Sequence, residues 1–354
     1  MQTLDDYRPP LLLKNAYLQT ILASTKLRAH GPNAMREVAR EEIIESAGGV
    51  KLLGYHSIRN SEQAKGLVIM LHGWEGSADS TYLLRCGKRL YDHGYDIFRL
   101  NFRDHGDSHH LNKGIFYAVL LDEVFEAVRQ VAAFSGDRPV FLIGFSLGGN
   151  FVLRILKKCV TVPITNLRHA VSISPVLNPQ QSTTAIDRIA FIRKYFLAKW
   201  RRSLTKKQVL FPELYDFGEV RGLKTIQALT DALLEQYSDF ATAQDYFDAY
   251  SVMGKAIADV DTPATIVTAE DDPIIPIKDF FDLKLNTRIR LVIHSHGGHN
   301  GFITGFKLQS WYENQIIRLF DQICGNTEEY YERGQNDRDI KKCNSDGKKR
   351  TGLL

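Results

Sequence analysis

Apolar and polar positions divide this chain into short runs that are almost wholly apolar and longer stretches whose apolar residues recur every three to four positions. The first kind is typical of strands buried on both faces of a parallel sheet, and the second of amphipathic helices. Strand-like runs lie at residues 66–71, 95–102, 140–143, 170–174, 264–269 and 288–294. Helical periodicity lies at residues 81–93, 115–134, from 148 onward and at 309–323. The alternation predicts an α/β fold built on a mostly parallel, doubly wound sheet.

Three further regions complete the predicted organisation. Residues 1–34 form an N-terminal arm with a Pro9-Pro10 break, which we expect to pack on the main domain, and two strand-like runs at about 37–44 and 50–57 follow as a hairpin. Between residues 178 and 259 the alternation stops, which predicts a helical cap inserted into an α/β domain spanning 35–324. Residues 325–354 are polar and have little to bury, so we expect a disordered tail.

The segment at residues 139–150 carries a nucleophile-elbow pattern. Its apolar run enters Gly144-Phe145-Ser146-Leu147-Gly148, and helical periodicity follows directly. A serine in such a strand-to-helix turn occupies strained backbone, needs glycine at neighbouring positions, and presents its hydroxyl where a base can reach it. The N-terminus of the following helix adds N–H donors and a favourable dipole for a developing oxyanion. We therefore predict Ser146 as a nucleophile.

A carboxylate follows the strand-like run at 264–269. A serine hydroxyl is a poor nucleophile at neutral pH and needs an imidazole, which in turn needs a carboxylate to hold its tautomer. The run leads into Glu270-Asp271-Asp272-Pro273-Ile274-Ile275-Pro276. Asp272 is preferred because it directly precedes the Pro-Ile-Ile-Pro turn, whereas Glu270 and Asp271 can be explained as solvated loop charges.

The imidazole is expected after the last strand-like run, at 288–294. That run leads into Ser295-His296-Gly297-Gly298-His299. His299 is preferred because the Gly-Gly turn before it allows the loop to fold back over the serine, whereas His294 still belongs to the strand and His296 stays a minor alternative. The order serine, aspartate, histidine is the one expected for a hydrolase with a doubly wound sheet.

Backbone N–H groups are expected to hold the oxyanion. One is that of Leu147, directly after the serine, and the other is that of Trp74, in His72-Gly73-Trp74-Glu75-Gly76 after the run at 66–71. We expect His72 to shape this loop by hydrogen bonding rather than to transfer a proton. A polar loop at 103–110 holds three histidines and two aspartates, but no third strand adds carboxylates in a metal-binding pattern. We interpret it as a hydrogen-bonded loop and expect no metal.

Composition and charge narrow the range of partners. The chain has 45 Lys and Arg against 41 Asp and Glu, for a formal net charge of +4, and the two signs are interspersed, which disfavours nucleic acid. Four cysteines without Cys-x-x-Cys spacing favour a reducing compartment. No leader pattern and no apolar run of about 20 residues is present, so we expect a cytoplasmic location.

One helical segment of the predicted cap has two possible interpretations. Residues 191–204 place Phe191, Tyr195, Phe196 and Trp200 near one face of a helix with five basic residues around them. Such a helix can contact an anionic membrane surface or a lipid substrate. It can equally pack on the core with a solvated basic face, which is the interpretation we favour. Peripheral membrane contact through the cap stays the alternative.

The motifs together resemble the α/β-hydrolase superfamily and, more narrowly, the AB hydrolase 4 family of YheT-like hydrolases. The similarity rests on H-G-W-E-G-S at 72–77, N-F-R-D-H-G-D-S at 101–108, G-F-S-L-G-G-N at 144–150, A-E-D-D-P at 269–273 and H-G-G-H-N-G-F at 296–302. In family order, these cover about residues 8–322. The resemblance implies the α/β-hydrolase fold and a serine carboxylic-ester hydrolase, with Ser146 as nucleophile, Asp272 as orienting acid and His299 as base. Asp104 departs from the family, which often has a small residue there.

We therefore predict a hydrolase that cleaves short- to medium-chain acyl or lipid esters through an acyl-enzyme intermediate, without a cofactor. A phospholipase or an acyltransferase that uses the same three residues is the first alternative. A non-catalytic binding protein on the same fold is the second, and the intact serine, aspartate and histidine argue against it. The sequence leaves the oligomeric state open.

Overall fold

One sheet forms the centre of the molecule. The computed structural model of the protein describes residues 7–59 and 64–325, so all but the first residue of the expected tail lies outside the described residues. The strands are β1 (Arg40–Glu45), β2 (Lys51–Ser57), β3 (Leu67–Leu71), β4 (Asp96–Leu100), β5 (Val140–Phe145), β6 (Leu167–Ile173), β7 (Ala264–Ala269) and β8 (Ile289–His294). Their order is β1-β2-β4-β3-β5-β6-β7-β8. Strand β2 runs antiparallel to β1 and β4, and the other neighbouring pairs are parallel. The predicted mostly parallel sheet is confirmed.

Helices connect most of the strands. They are α1 (Ala16–Ser24), α2 (Ala34–Glu37), α3 (Thr81–Asp92), α4 (Leu121–Ala133), α5 (Leu147–Cys159), α6 (Pro179–Arg188), α7 (Ala190–Leu210), α8 (Ile226–Tyr237), α9 (Ala243–Ala249) and α10 (Lys278–Phe281). Residues 311–325 form a further helix, α11. Across residues 7–59 and 64–325, no helix combines the length and apolar content that crossing a bilayer requires.

Helix α4 begins later than the periodicity predicted. The prediction of a helix from residue 115 was wrong for 115–120, because backbone N–H groups there bond to distant side chains instead of to helical carbonyls. Phe116 N–H donates to Asp104 Oδ2 (3.0 Å), and Ala118 N–H donates to the Tyr246 hydroxyl (3.0 Å). Residues 115–120 therefore form a loop that contacts α9 through Tyr246.

Burial on both faces of the sheet explains the apolar strands. Every residue of β3, β4 and β5 is buried, and β3 lies between the other two in parallel register, with Leu67 opposite Asp96 and Val140. Alternate residues of β3 belong to two separate hydrophobic clusters. One cluster is shared with α4, α5 and α6 to α9, and the other with α3 and α11. Because parallel strands end at the same edge, the loops after β3, β5, β7 and β8 meet there.

Helices α6 to α9 lie between β6 and β7, in the segment 178–259, and we propose that they act as the cap. A buried ion pair ties α7 to the loop after β4, with Lys207 Nζ 2.8 Å from Asp104 Oδ1. The Lys207 ammonium also donates to the carbonyls of Asn112 (2.6 Å) and Gly114 (3.0 Å). Burial raises the pKa of Asp104 to about 6 and lowers the pKa of Lys207, although their mutual attraction opposes both shifts. Asp104 and these carbonyls thus hold α7 to the loop after β4.

Lys207→Met should lower the free energy of unfolding by about 3–5 kcal/mol, because it leaves the Asp104 carboxylate buried without its cation. Urea denaturation measures the change. Adding Asp104→Asn to Lys207→Met should recover part of the loss, since the uncompensated charge is then gone. A single variant as stable as wild type, or a double variant no better than the single one, would contradict the role of this pair.

Candidate active site

Ser146 lies between β5 and α5 with φ 55° and ψ −117°, a conformation that residues other than glycine rarely adopt. Its N–H donates to the Ile173 carbonyl of β6 (2.9 Å), which holds the turn. The flanking glycines are required because the backbone segments pack without space for a methyl group. A Cβ on Gly144 would overlap the Gly148 carbonyl, and a Cβ on Gly148 would overlap the Leu71 carbonyl of β3. The Gly-x-Ser-x-Gly spacing is therefore a packing requirement of this turn.

The structure brings Ser146, His299 and Asp272 together. His299 Nε2 lies 2.9 Å from Ser146 Oγ, and His299 Nδ1 lies 2.9 Å from Asp272 Oδ2. Asp272 Oδ1 accepts the N–H groups of Ile274 (2.8 Å) and Ile275 (3.0 Å), and its side chain is fully buried. Because an ionised carboxylate only accepts hydrogen bonds, Nδ1 carries the proton and Nε2 is left to accept the serine hydroxyl. The arrangement can take a proton from Ser146.

The rival residues have other partners. Glu270 is exposed, as expected of a solvated loop charge. Asp271 is not one, because its Oδ1 accepts the Gly298 N–H (2.9 Å) and its Oδ2 lies 3.4 Å from His296 Nδ1. Burial raises the pKa of Asp271, and the bond from Gly298 opposes the shift. His294 is the last residue of β8. Asp271 therefore joins the loop after β7 to the loop that carries His299.

Polar residues of α1 hold the histidine loop from the other side, which the sequence analysis missed. Thr20 Oγ1 accepts the His299 N–H (2.9 Å), and Gln19 Oε1 accepts the Ile303 N–H (2.8 Å). Gln19 is fully buried, and its Nε2 also donates to the Leu13 carbonyl (2.6 Å) and the Tyr7 hydroxyl (2.9 Å). The available signal was a Gln-Thr pair inside an otherwise apolar stretch of the arm. The arm thus helps to place His299.

His72 shapes the loop after β3, in agreement with the expectation. Its Nε2 accepts the Phe102 N–H (3.2 Å), so its Nδ1 carries the proton and donates to the Gly73 carbonyl (2.7 Å). Complete burial lowers the pKa of His72 to about 3, and the bond to Gly73 opposes the shift. A neutral imidazole that uses both nitrogens on backbone groups of the protein serves structure rather than proton transfer.

Hydrogen bonds on both sides of Trp74 fix its position. The Gly73 N–H donates to the Tyr82 hydroxyl (3.0 Å). The Glu75 N–H donates to His105 Nε2 (3.2 Å), and Glu75 has a φ of 53°, a further strained position. These hydrogen bonds hold the backbone at Trp74 in one conformation beside the serine turn.

The polar loop at 103–110 uses its side chains within the protein. Arg103 forms an ion pair with Glu123 of α4, and His109 Nε2 lies 2.8 Å from the Ser203 hydroxyl of α7. Within residues 7–59 and 64–325, no group of three His, Cys, Asp or Glu side chains is arranged to hold a metal ion. The loop connects α4 to α7.

Two cavities adjoin the site. The larger one, about 630 Å³ and called here the Ser146 cavity, is bordered by Ser146, His299 and Trp74, by the end of α1 and by the middle of α7. The smaller one, about 110 Å³ and called here the apolar cavity, is bordered by Trp74 and Leu147 and by mostly apolar side chains of α6 to α9. Both residues predicted to supply oxyanion donors therefore border the apolar cavity, and Trp74 borders both.

Aromatic side chains of α7 separate into two groups. Trp74 stacks on Phe196 with ring centroids 5.3 Å apart and an interplanar angle of 10°, and it meets Trp200 edge-on at 5.0 Å. Phe191 and Tyr195 are exposed instead. The expectation that the four aromatic residues lie near one helical face was wrong. At about 100° per residue, Phe196 and Trp200 lie on the opposite side of α7 from Phe191 and Tyr195.

Comparison with known proteins places the chain in a family. The family model described as serine aminopeptidase, S33 (Hydrolase_4), matches residues 62–302. YheT of Escherichia coli is 24% identical over 268 residues, which are 72% of this chain and 76% of YheT. Phospholipase ABHD3 of Bos taurus is 24% identical over 298 residues, 80% of this chain and 71% of that protein.

A solved structure shows the same fold. The hyperthermophilic esterase from Pyrobaculum calidifontis aligns with a TM-score of 0.53 and 17% identity, over 88% of this chain and 91% of that one. The predicted α/β-hydrolase fold, the similarity to YheT-like hydrolases and the prediction of an enzyme of the hydrolase class are confirmed. The chain belongs to the Hydrolase_4 family, described as serine aminopeptidase, S33.

Proposed function

We propose that the protein hydrolyses carboxylic esters through an acyl-enzyme on Ser146. The hydrogen-bonded series from Ser146 Oγ through His299 to Asp272 carries the proposal. Ser146 Oγ attacks the carbonyl carbon while His299 Nε2 takes its proton, and His299 returns that proton to the departing alkoxide. Water then attacks the acyl-enzyme with His299 again as base, which releases the acid and restores Ser146. Asp272 holds the imidazole and stabilises its protonated form.

Backbone N–H groups of Leu147 and Trp74 are proposed to stabilise the oxyanion. Leu147 is the first residue of α5, so its N–H has no acceptor within the helix. The loop that carries Trp74 is fixed on both sides and borders the same cavity as Ser146. A fixed donor of this kind contributes about 3–4 kcal/mol of transition-state stabilisation.

The acyl chain is proposed to enter the apolar cavity, and the leaving group to face the larger Ser146 cavity. The apolar cavity begins at Trp74 and Leu147, where the carbonyl group is held, and its mostly apolar lining suits a hydrocarbon chain. Its modest volume favours short- to medium-chain acyl groups. The name phospholipase of the bovine relative supports lipid esters among the substrates.

Glu75 is proposed to be neutral at pH 7. It borders both cavities beside Trp74, and burial raises its pKa to about 8, with Lys199 opposing the shift and Asp104 reinforcing it. A negative charge here would oppose the charge that develops on the oxyanion. A protonated carboxyl avoids that repulsion.

Ser146→Ala should reduce kcat on the order of a million-fold for p-nitrophenyl esters from acetyl to palmitoyl. Ser182→Ala is the matched control, since Ser182 lies outside the hydrogen-bonded series. An aminoacyl p-nitroanilide in the same assay separates ester from amide cleavage. The proposal would be refuted if Ser146→Ala cleaved these esters as fast as wild type, or if a fluorophosphonate probe labelled Ser146→Ala as fast as wild type.

Ser182→Leu should shorten the acyl chains that the enzyme accepts. The Ser182 hydroxyl is buried in α6 at the edge of the apolar cavity and has no hydrogen-bond partner among the described residues, so its loss costs little. Leucine fills part of the apolar cavity. The ratio of kcat/KM for the longest ester that wild type cleaves well to kcat/KM for the acetyl ester should therefore fall about tenfold or more. Ser182→Ala removes the hydroxyl without filling the apolar cavity, so it should keep the wild-type preference for acyl chain length. An unchanged preference in Ser182→Leu would place the acyl chain elsewhere.

Glu75→Gln should change how stability depends on pH. The unfolded chain releases the Glu75 proton near pH 4.5, whereas the folded chain holds it up to about pH 8. Between these values the folded state binds more protons, so wild-type stability falls as the pH rises. The free energy of unfolding of Glu75→Gln minus that of wild type, measured by urea denaturation, should therefore increase from about pH 5 to about pH 8. The exposed Glu270→Gln is the control, and a constant difference between Glu75→Gln and wild type would contradict the raised pKa.

A further inference from the structure

Helix α1 has an inverted polarity for a helix on the surface of a protein. Its polar Gln19 is fully buried against the histidine loop, whereas Ile21 is 53% exposed and Tyr17 is 44% exposed. Leu18 is exposed as well. A surface helix ordinarily buries its apolar side and exposes its polar side. The outer side of α1 is therefore an apolar surface that the described residues leave partly exposed.

The apolar surface continues on both sides of this helix. Leu11 and Leu12, directly before it, are 82% and 76% exposed. The Tyr17 ring meets the Phe191 ring of α7 edge-on at 5.6 Å, and Tyr195, one turn further along α7, is exposed too. We call this set of exposed apolar residues the arm–cap face; its members are Leu11, Leu12, Tyr17, Leu18, Ile21, Phe191 and Tyr195. Patches of adjacent exposed apolar side chains mark interaction surfaces.

The two segments that carry the arm–cap face contain basic but no acidic residues. Arg28 and Lys207 among them are buried in ion pairs with acidic residues of other segments, and Asp79 is the exposed acidic residue at the border of the Ser146 cavity. Residues 7–34 contain four basic and no acidic residues. Helix α7 contains seven basic and no acidic residues. Lys14, Lys26, Lys194 and Arg202 are exposed among them. An apolar surface with basic side chains at its border is complementary to an anionic lipid surface, where the rings and aliphatic chains enter the interface and the ammonium groups reach phosphates.

The Ser146 cavity opens beside this face. Its border includes Ser24 and Lys26 of the arm and Tyr195, Lys199 and Arg202 of α7. The two segments that carry the arm–cap face therefore also line the Ser146 cavity, and Tyr195 belongs to both. A surface that docks on the face lies beside that cavity.

We propose that the arm–cap face docks on an anionic lipid surface, with the entrance of the Ser146 cavity toward the lipid. A second copy of the chain fits less well, because two such faces would bring like charges together. The sequence analysis considered membrane contact through α7 alone. The structure instead turns Phe196 and Trp200 of that helix inward and supplies most of the exposed apolar residues from the arm. Docking does not depend on the proposed ester hydrolysis.

Co-sedimentation of the full chain with vesicles tests the proposal. Wild type should bind vesicles of phosphatidylcholine with phosphatidylserine at low salt, and less at high salt, and should bind pure phosphatidylcholine vesicles more weakly. Leu18→Gln/Ile21→Gln keeps the inner residues of α1 and uses a good helix former, and it should lower the vesicle partition coefficient about tenfold or more. The matched control Val209→Gln/Phe281→Gln changes two exposed apolar residues elsewhere and should bind like wild type.

Further measurements separate the possible outcomes. Unchanged thermal unfolding of Leu18→Gln/Ile21→Gln, and unchanged activity on a soluble ester, would show that the variant is intact. Ser146→Ala should bind vesicles like wild type, so a failure of the catalytic proposal leaves this one standing. Absence of binding to anionic vesicles, or equal loss in the two double variants, overturns the proposal. Dimerisation that Leu18→Gln/Ile21→Gln abolishes, without vesicle binding, overturns it in favour of a second copy.

Discussion

The close approach of three backbone segments at Ser146 sets the geometry of the site. The end of β3, the end of β5 and the first turn of α5 lie so near one another that a methyl group fits at neither Gly144 nor Gly148. The same packing forces Ser146 into a positive φ and directs its hydroxyl away from the sheet. The strain persists because the sheet around it is buried on both faces and over-determines the turn. The position of Ser146 is thus a consequence of how the sheet and helix pack.

The position of His299 depends on more distant contacts. Asp272 holds its Nδ1, Asp271 holds the Gly298 N–H before it, and Thr20 of the arm holds its own N–H. Two of these three contacts come from the loop after β7 and one from a segment about 280 residues earlier in the chain. The imidazole is therefore fixed by two separate segments, which hold its Nε2 2.9 Å from Ser146 Oγ.

Local patterns explain which parts of this arrangement the sequence could predict. Strand runs, the serine turn and the two loop motifs are each determined within a few residues. The strands, their mostly parallel direction and the candidates Ser146, Asp272 and His299 could therefore be predicted from the sequence. Contacts between distant segments leave no such pattern. The Lys207–Asp104 pair joins residues 103 positions apart, the Thr20–His299 bond joins residues 279 apart, and the helix expected from residue 115 was lost to bonds with Asp104 and Tyr246.

The inverted helix α1 follows from this dependence on the arm. The inner side of α1 must satisfy the backbone groups of the histidine loop, and amide and hydroxyl side chains are the groups that can do so; a buried N–H without a partner would cost about 1–3 kcal/mol. Gln19 and Thr20 therefore face inward and leave Tyr17, Leu18 and Ile21 outside. Selection for the histidine contact alone would allow polar residues on the outer side. Tyr17 packs on Phe191 of α7, and the apolar character of Leu18 and Ile21 beside this basic helix fits the proposed lipid surface.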